Sequence, residues 1–260
     1  MDKATLGGLA LAVGGILLGL MLEGGNLGQV LQPTAALIVF GGTLGAILIQ
    51  YPLPVALTAF RRLAQVFVEP TENPKSTIDL LVKYAHQARR EGIISLDKEL
   101  TVIQEPFLRR ALMLAVDGTE PQELRAIMEL ELDNKEEQEE KIHQLFESAG
   151  GFSPTIGIIG AVLGLIQVMQ HLDKIDEVGK GIAVAFVATL YGVGAANLIL
   201  LPAAGKLKIR IRDEQIIREM TLEGVVSILE GMNPHMLETK LLGFLTDAHD
   251  PAGPAEEVRA

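Results

Sequence analysis

The chain of 260 residues contains no cysteine and no tryptophan, and its Asp and Glu outnumber its Lys and Arg by 33 to 22. The absence of cysteine excludes disulfide bonds, Cys-ligated metals and thiol chemistry. The net charge of −11 argues against nucleic-acid binding, because that function requires a basic surface. The histidines are scattered, and no phosphate-binding loop or nucleophile elbow occurs, so the sequence offers no catalytic residue, metal site or cofactor site.

Charged residues are also missing from the interior of four apolar segments, at about 4–22, 33–50, 152–171 and 181–204. Each segment is roughly long enough to cross a ~30 Å hydrocarbon layer as a helix. We therefore predict an all-α fold, a polytopic membrane protein with four transmembrane helices and a helical cytoplasmic domain. An ion carrier normally holds an ionisable group within the membrane, so an ion-conducting role would need that group from a partner.

The distribution of Lys and Arg predicts the orientation of the spans. The short loop 23–31 has neither residue and the loop 173–180 has only two Lys, whereas both are frequent after the second and fourth spans. Because Lys and Arg favour the cytoplasmic side, both termini are predicted to be cytoplasmic. The predicted regions are 1–50 with transmembrane helices 1 and 2 and a short periplasmic loop, 51–150 as a cytoplasmic helical domain, 151–205 with transmembrane helices 3 and 4, and 206–260 as cytoplasmic C-terminal helices with a disordered tail.

Helix-start signals divide the segment between spans two and three into separate helices. A capping box that opens at Ser76 predicts a helix from there to about Gly92. A second signal, with a proline at Pro121, predicts a helix that ends at about Ser148, before the third span. Further helices are expected over 206–231 and 234–248, followed by a disordered tail at 249–260.

Spans three and four are crowded with Gly and Ala and carry a proline each, Pro154 and Pro202. Small residues let helices pack closely, which a helix surrounded only by lipid does not need. A threonine, Thr189, lies deep within span four on a stripe of small residues. In one interpretation this stripe lines an ion path shared with a partner. In the other, the Thr189 hydroxyl bonds back to the carbonyl four residues earlier.

The strings SPTIGIIGAVLGL at 153–165 and GKGIAVAFVATLYG at 179–192, with the exit proline Pro202, resemble the MotA/PomA flagellar stator proteins of the MotA/TolQ/ExbB channel family. The likeness covers nearly the whole chain, including the four spans and the long cytoplasmic loop. It implies a stator subunit that couples ion flow across the bacterial inner membrane to torque on the flagellar rotor. The alternatives are an ExbB/TolQ-type energiser of outer-membrane processes, a sodium-driven PomA/MotP-type stator and a purely structural membrane scaffold.

The same resemblance implies partners. A homopentamer of this subunit is expected to surround a dimer of a MotB-like protein, giving a 5:2 complex in the inner membrane. The MotB-like partner has one span and a peptidoglycan-binding domain, and it supplies the ion-carrying Asp. The cytoplasmic loops are expected to push on FliG, the switch protein of the rotor. No cofactor is implied beyond the transported ion, H⁺ in preference to Na⁺.

By their matches to the family, Pro154, Ala161, Thr189 and Pro202 are expected to shape the ion path and its coupling to movement. At the position of Ala161, the sodium-type members that share this pattern carry a threonine. Because Na⁺ prefers several oxygen ligands and a methyl group offers none, the resemblance favours protons.

A further match concerns the rotor. The string ARREGIISLD at 88–97 resembles the segment that supplies a rotor-facing arginine and acid. Arg89 corresponds to the arginine, with Arg90 as an alternative, and Asp97 corresponds to the acid, where a longer Glu is usual. Without the resemblance these three residues would be interpreted as ordinary solvated charges.

Overall fold

The computed structural model describes residues 2–68 and 73–249. Within these ranges the chain is helical and contains no β-strand, which confirms the predicted fold class. Four helical segments within these ranges are long and apolar enough to cross a membrane, as the sequence predicted. They are Lys3–Leu22, Leu27–Gln50, Pro121–Gln170 and Ile175–Leu229.

The first two spans are built from one long helix and several shorter ones. The side chain of Asp2 caps the first helix, and Pro33 starts the third at its first turn. The helices are α1 (Lys3–Leu22), α2 (Leu27–Val30), α3 (Pro33–Ala36), a π-helical turn (Leu37–Gly41), α4 (Gly42–Gln50) and α5 (Leu53–Gln65).

The next helices are α6 (Pro74–Glu91), a 3₁₀ helix (Ile93–Thr101) and α7 (Pro106–Val116). The predicted start of α6 at Ser76 is wrong, because the side chain of Asn73 caps the helix by accepting from the Lys75 amide at 3.1 Å. Asn is a strong N-cap residue, and the following proline suits the first helical position. The predicted end of this helix near Gly92 is correct, and Gly92 has a positive φ of 85°.

Two very long helices follow, α8 (Pro121–Gln170) and α9 (Ile175–Ala195), the second of which leads through a π-helical turn (Ala196–Leu200) into α10 (Leu201–Leu229). The predicted helix end at Ser148 is wrong, since α8 continues through Pro154. Buried residues on both sides of that proline, such as Phe146 and Gly157, pack against neighbouring helices and keep the backbone helical. The last helix is α11 (Pro234–His249), which includes the first residue of the tail predicted at 249–260, and the rest of that tail lies outside the described residues.

The chain divides into two compact units with three boundaries along the sequence, of which one falls within α8 and one within α10. Unit 1 comprises Met1–Glu69 and Glu139–Ile209, and unit 2 comprises Pro70–Gln138 and Arg210–Ala260.

Unit 1 contains the apolar spans and α5. The helix α5 packs on α8 through Ala56, Ala59 and Phe146. Its Arg62 also donates to the carboxylate of Glu139 at 3.0 Å, which satisfies a carboxylate side chain that is only 7% exposed. A second buried cluster joins α3 and the π-helical turn to α9 and consists of Ala35, Val39, Val187 and Ala188.

Unit 2 is a helical domain with its own apolar core. Its core includes Leu81, Leu112, Met128, Val225 and Leu241, all of which are buried. The carboxylate of Glu223 on α10 accepts from Arg125 at 2.7 Å and from Lys240 on α11. This ion-pair network fastens α11 to the rest of unit 2.

Candidate functional site

The interface between α8 and α9 is formed by glycines that bring the two backbones together. A Cβ atom added to Gly157 would lie 2.9 Å from the Ala188 carbonyl oxygen. One added to Gly164 would lie 2.7 Å from the Gly181 carbonyl oxygen, and one added to Gly192 would lie 2.6 Å from that of Ser153. These distances are shorter than a real side chain tolerates, so only glycine permits this approach.

Two predicted ion-path residues lie at this interface. Pro154 is half-buried inside α8, and a Cβ atom on Gly192 would lie 3.2 Å from its Cα atom. Thr189 is half-buried on α9, and a Cβ atom on Gly157 would lie 3.5 Å from its Cα atom. The fold therefore brings Pro154 and Thr189 to one contact surface between α8 and α9.

The hydroxyl of Thr189 donates to the carbonyl oxygen of Ala185 at 3.2 Å. This is the back-bond that the sequence left open as the alternative to a path-lining hydroxyl. Such a bond leaves the lone pairs of the hydroxyl oxygen available as acceptors, so the contact does not prevent a second interaction.

The other two predicted ion-path residues lie outside this contact. Ala161 is half-buried on α8, one helical turn beyond Gly157. Pro202 is exposed at the start of α10, directly after the π-helical turn Ala196–Leu200. Because a proline has no amide hydrogen and a π-helical turn shifts the bonding pattern, this short stretch is the least self-supported part of the fourth span.

Sequence reasoning missed the role of Tyr191. Its hydroxyl donates to the carbonyl oxygen of Val30 at 2.5 Å and accepts from the amide of Gln32 at 3.3 Å. Its ring stacks on Phe40 with centroids 5.9 Å apart. Tyr191 thus satisfies the backbone where the chain is not helical between α2 and α3. An aromatic hydroxyl within an apolar span, paired with a break before Pro33, was the signal available.

Two buried hydroxyls were also missed. Thr43 on α4 and Ser153 on α8 are 8% and 1% exposed, and within the described ranges neither side-chain oxygen has a hydrogen-bond partner. Ser153 directly precedes Pro154, so a polar group is buried beside the predicted coupling proline. Short polar side chains are common in packed membrane helices, so their presence in the sequence did not single them out.

The predicted rotor-contact residues lie in unit 2, on the last turn of α6 and the 3₁₀ helix that follows. Arg89, Arg90 and Asp97 are exposed, and no salt bridge within the described part of the chain engages them. The turn between the two helices is held by the side-chain amide of Gln87, which donates to the Ser95 carbonyl at 3.1 Å. Among the described residues no cluster of His, Asp and Glu is arranged to hold a metal ion.

Comparison with known proteins identifies two matching family models and several similar proteins. The model of the MotA/TolQ/ExbB proton channel family matches residues 99–220, and the model of the motility protein A N-terminal region matches residues 6–92. Motility protein A of Bacillus subtilis is 37% identical over 94% of this chain and 91% of its own length. The chemotaxis protein PomA of Vibrio alginolyticus is 28% identical over 95% of this chain and 96% of its own length.

Two solved structures are similar over nearly the entire chain. The structure of C. jejuni MotAB matches with a TM-score of 0.89 and 32% identity, covering 98% of each chain. The flagellar MotAB stator complex of Bacillus subtilis matches with a TM-score of 0.85 and 35% identity, covering 97% of this chain and 100% of that chain.

The four apolar spans in the described residues, together with the match to a channel family, define a multi-pass membrane protein of the ion-channel class, whose members are not enzymes. The chain belongs to the MotA/TolQ/ExbB proton channel family. Within that family it is a flagellar motor stator subunit, as the likeness to motility protein A over almost its full length shows. The predictions of family, of a stator function and of a multi-pass membrane protein are therefore confirmed.

Proposed function

We propose that this chain works with a MotB-like partner and couples proton flow through the bacterial inner membrane to torque on the flagellar rotor. The observation that carries the proposal is the glycine-lined contact of α8 and α9, which holds Pro154 and Thr189 together in apolar spans that contain no Asp, Glu, Lys or Arg. The ionisable group must then come from another chain. The two similar MotAB structures support a partner of this kind.

The proposed assembly is a homopentamer around a dimer of the MotB-like protein, whose single span carries the Asp and whose other domain binds peptidoglycan. Both termini of this chain face the cytoplasm in this arrangement. Residues 51–150 form the proposed rotor-facing cytoplasmic domain, and residues 151–205 contribute the pore-lining helices. Residues 1–50 and 206–260 supply the peripheral spans and the C-terminal cytoplasmic helices.

We propose protons as the coupling ion because position 161 carries a methyl group. A sodium ion would need several oxygen ligands, and Ala161 removes one candidate. Swimming that follows the sodium gradient, and that persists after the proton gradient is collapsed, would overturn this assignment in favour of a sodium-driven stator.

We propose Arg89, Arg90 and Asp97 as the contacts with the switch protein FliG, since they are exposed and form no salt bridge with the residues that the structure describes. Reversal of charge at Arg89 and Asp97 is expected to weaken torque while leaving membrane assembly unchanged, because neither side chain stabilises the fold. Normal torque in both reversal variants would exclude these residues from the rotor contact.

The test of the main proposal uses Pro154→Ala and Thr189→Val in a motile cell that lacks its own stator subunit. Pro154→Ala is expected to abolish most motility. Thr189→Val is expected to cause a milder loss, since water can replace the hydroxyl. A matched control is Thr58→Val, because Thr58 on α5 also bonds back to a carbonyl, that of Pro54 at 2.8 Å.

Ion flux, swimming and the co-purified partner are measured together. Both variants with normal flux and motility would support a structural scaffold instead. A co-purified single-span protein with a peptidoglycan-binding domain supports the stator, whereas a receptor-binding partner would support the energiser of outer-membrane processes.

A further inference from the structure

The first turn of α1 is tied to α10 by a lysine. The ammonium group of Lys206 donates to the carboxylate of Asp2 and to the hydroxyl of Thr5. The backbone amide of Asp2 also donates to the carbonyl of Phe67, just after α5, at 3.0 Å. The start of the chain therefore joins three elements of unit 1.

Asp2 has two separable roles at this junction. Its carboxylate caps α1 by accepting from the amides of Ala4 and Thr5, at 3.0 and 3.1 Å. It also pairs with Lys206. The hydrogen bond from Lys206, with that from the Thr5 amide, holds the pKa of Asp2 at about 2, so the carboxylate stays charged at any cytoplasmic pH.

The contacts between Lys206 and α1 lie next to the stretch of span four where regular helical hydrogen bonding is interrupted, the π-helical turn Ala196–Leu200 and Pro202. Lys206 lies one helical turn after Pro202, and α1 packs on the π-helical turn Ala196–Leu200 that comes just before it. None of the residues of α1 is buried, so this helix has few other attachments. The segment around Pro202 is thus held by α1 on both of its sides.

We propose that Asp2 is a positioning residue for Pro202. By pairing with Lys206, Asp2 attaches the start of α1 to the fourth span beyond the proline, and α1 then acts as a brace that limits movement at Pro202. The inference rests on the proposed coupling role of Pro202. When the fourth span changes shape at the proline, the Asp2–Lys206 pair fixes where the cytoplasmic end of that span lies relative to α1.

Two substitutions separate the pairing from the capping. Asp2→Asn keeps a strong N-cap but removes the charge, and Lys206→Gln removes the other partner. Each is expected to lower torque several-fold at unchanged membrane level and unchanged MotB-like partner binding. The double variant should be no worse than either single variant, because the same interaction is lost. Lys206→Arg keeps the positive charge and should retain most of the parent torque. The matched control Lys208→Gln, two residues further along α10, should leave the torque unchanged.

Normal torque with Asp2→Asn, or additive losses in the double variant, would overturn the proposal. So would a loss explained by a lower amount of protein in the membrane, because Asp2 would then only stabilise the fold.

A second measurement does not depend on motility. Because the chain has no native cysteine, spin labels can be attached at Gly7→Cys and Gly205→Cys, where an added Cβ meets no atom within 4 Å. In complexes with few labelled subunits, Asp2→Asn should broaden the distance distribution between the two labels, and an unchanged distribution would refute the brace. Normal torque in Pro202→Ala would instead refute the coupling role of Pro202, whatever the labels show.

Discussion

The hydroxyl of Tyr191 shows how one side chain can complete the backbone where a helix is interrupted. The chain is not helical between α2 and α3, so backbone groups there need partners from elsewhere in the fold. Tyr191 supplies a donor to Val30 and an acceptor to Gln32 from a neighbouring helix. The cost of leaving such groups unpaired gives this phenol a structural role.

We expect Tyr191→Phe to lower the free energy of unfolding by about 1–3 kcal/mol, because a half-buried carbonyl and a half-buried amide lose their partner. Thermal unfolding in a membrane mimetic measures the effect. Phe40→Leu serves as the control, since it removes the ring stacking and keeps the hydroxyl bonds. Equal stability of Tyr191→Phe and the parent chain would show that water reaches this break.

At the scale of residues, the sequence singled out candidate positions but not their contacts. Pro154 and Thr189 stand out in the sequence, and the structure places them on one interface. The bond from Thr189 to Ala185 was one of two alternatives that spacing alone could not separate. The tie between Asp2 and Lys206 was not predictable, since a pair some two hundred residues apart leaves no local pattern.

At the scale of elements, the contact between α8 and α9 depends on glycine at chosen positions and tolerates side chains at others. At Gly164 an added Cβ would lie 2.7 Å from the Gly181 carbonyl oxygen and 2.8 Å from the Ala185 nitrogen. At Gly194, also on α9, it would meet nothing within 4 Å. Backbone atoms cannot rotate away as a flexible side chain can, so the helices would have to separate.

Gly164→Ala should therefore destabilise unit 1 by about 1–3 kcal/mol, the usual cost of overpacking. Gly194→Ala should be neutral or slightly stabilising, because alanine is the better helix former. The two variants are compared by their melting temperatures in the same membrane mimetic. Similar melting temperatures would mean that α8 and α9 are farther apart in the membrane than in this structure.

One carboxylate, that of Glu223, contributes to the docking of α11 beside the buried Leu237 and Leu241. Burial raises the pKa of Glu223, but hydrogen bonds from Lys240 and Arg125 outweigh that effect and hold the pKa below its usual value of 4.5. A carboxylate with a lowered folded-state pKa adds stability above its unfolded pKa and loses it as the pH falls through the folded value. The docking of α11 should therefore weaken in acid, below about pH 4.5.

Hydrogen exchange of the α11 amides measures this docking across the acidic range. Glu223→Gln should raise exchange at neutral pH, with a loss of about 1 kcal/mol given the partial exposure of both cations. It should also remove the pH dependence that this carboxylate causes. An exchange profile that keeps the same acid dependence in the variant would assign it to other carboxylates.

Helix boundaries show where local rules are overruled. The stop at Gly92 followed from a local requirement, because a residue with positive φ ends a helix wherever it lies. The continuation of α8 through Pro154 did not, because tertiary packing on both sides compensates for the lost hydrogen bond. The start at Asn73 was missed because two capping signals, Asn73 and the capping box at Ser76, lie close together and the sequence does not rank them.

At the scale of the whole molecule, the absence of cysteine makes the orientation directly testable. Single cysteines at Gly28, Gly179 and Lys98 can be labelled in intact cells with a thiol reagent that does not cross the inner membrane. The positions 28 and 179 should react and position 98 should not, because Lys and Arg accumulate on the cytoplasmic side. Labelling of position 98 alone would invert the proposed topology.

The four spans and the family resemblance could be predicted because apolar length and a dense string of small residues are properties of sequence alone. The division into two units could not. Two of its three boundaries fall within the uninterrupted helices α8 and α10, where no change of composition marks them. The core of unit 2 combines residues from α6 to α8 with others from α10 and α11, and only the folded chain brings these segments together.

The contact of Gly157 and Gly164 with the backbone of α9 also has a mechanical consequence. Where main chain meets main chain, no side-chain rotamers are available to absorb a displacement, so the contact is stiff. The pair α8–α9 should then respond to an applied force as one rigid body, turning or tilting together. Deformation would concentrate in the short stretch that runs from the π-helical turn Ala196–Leu200 to Pro202, where regular helical hydrogen bonding is interrupted.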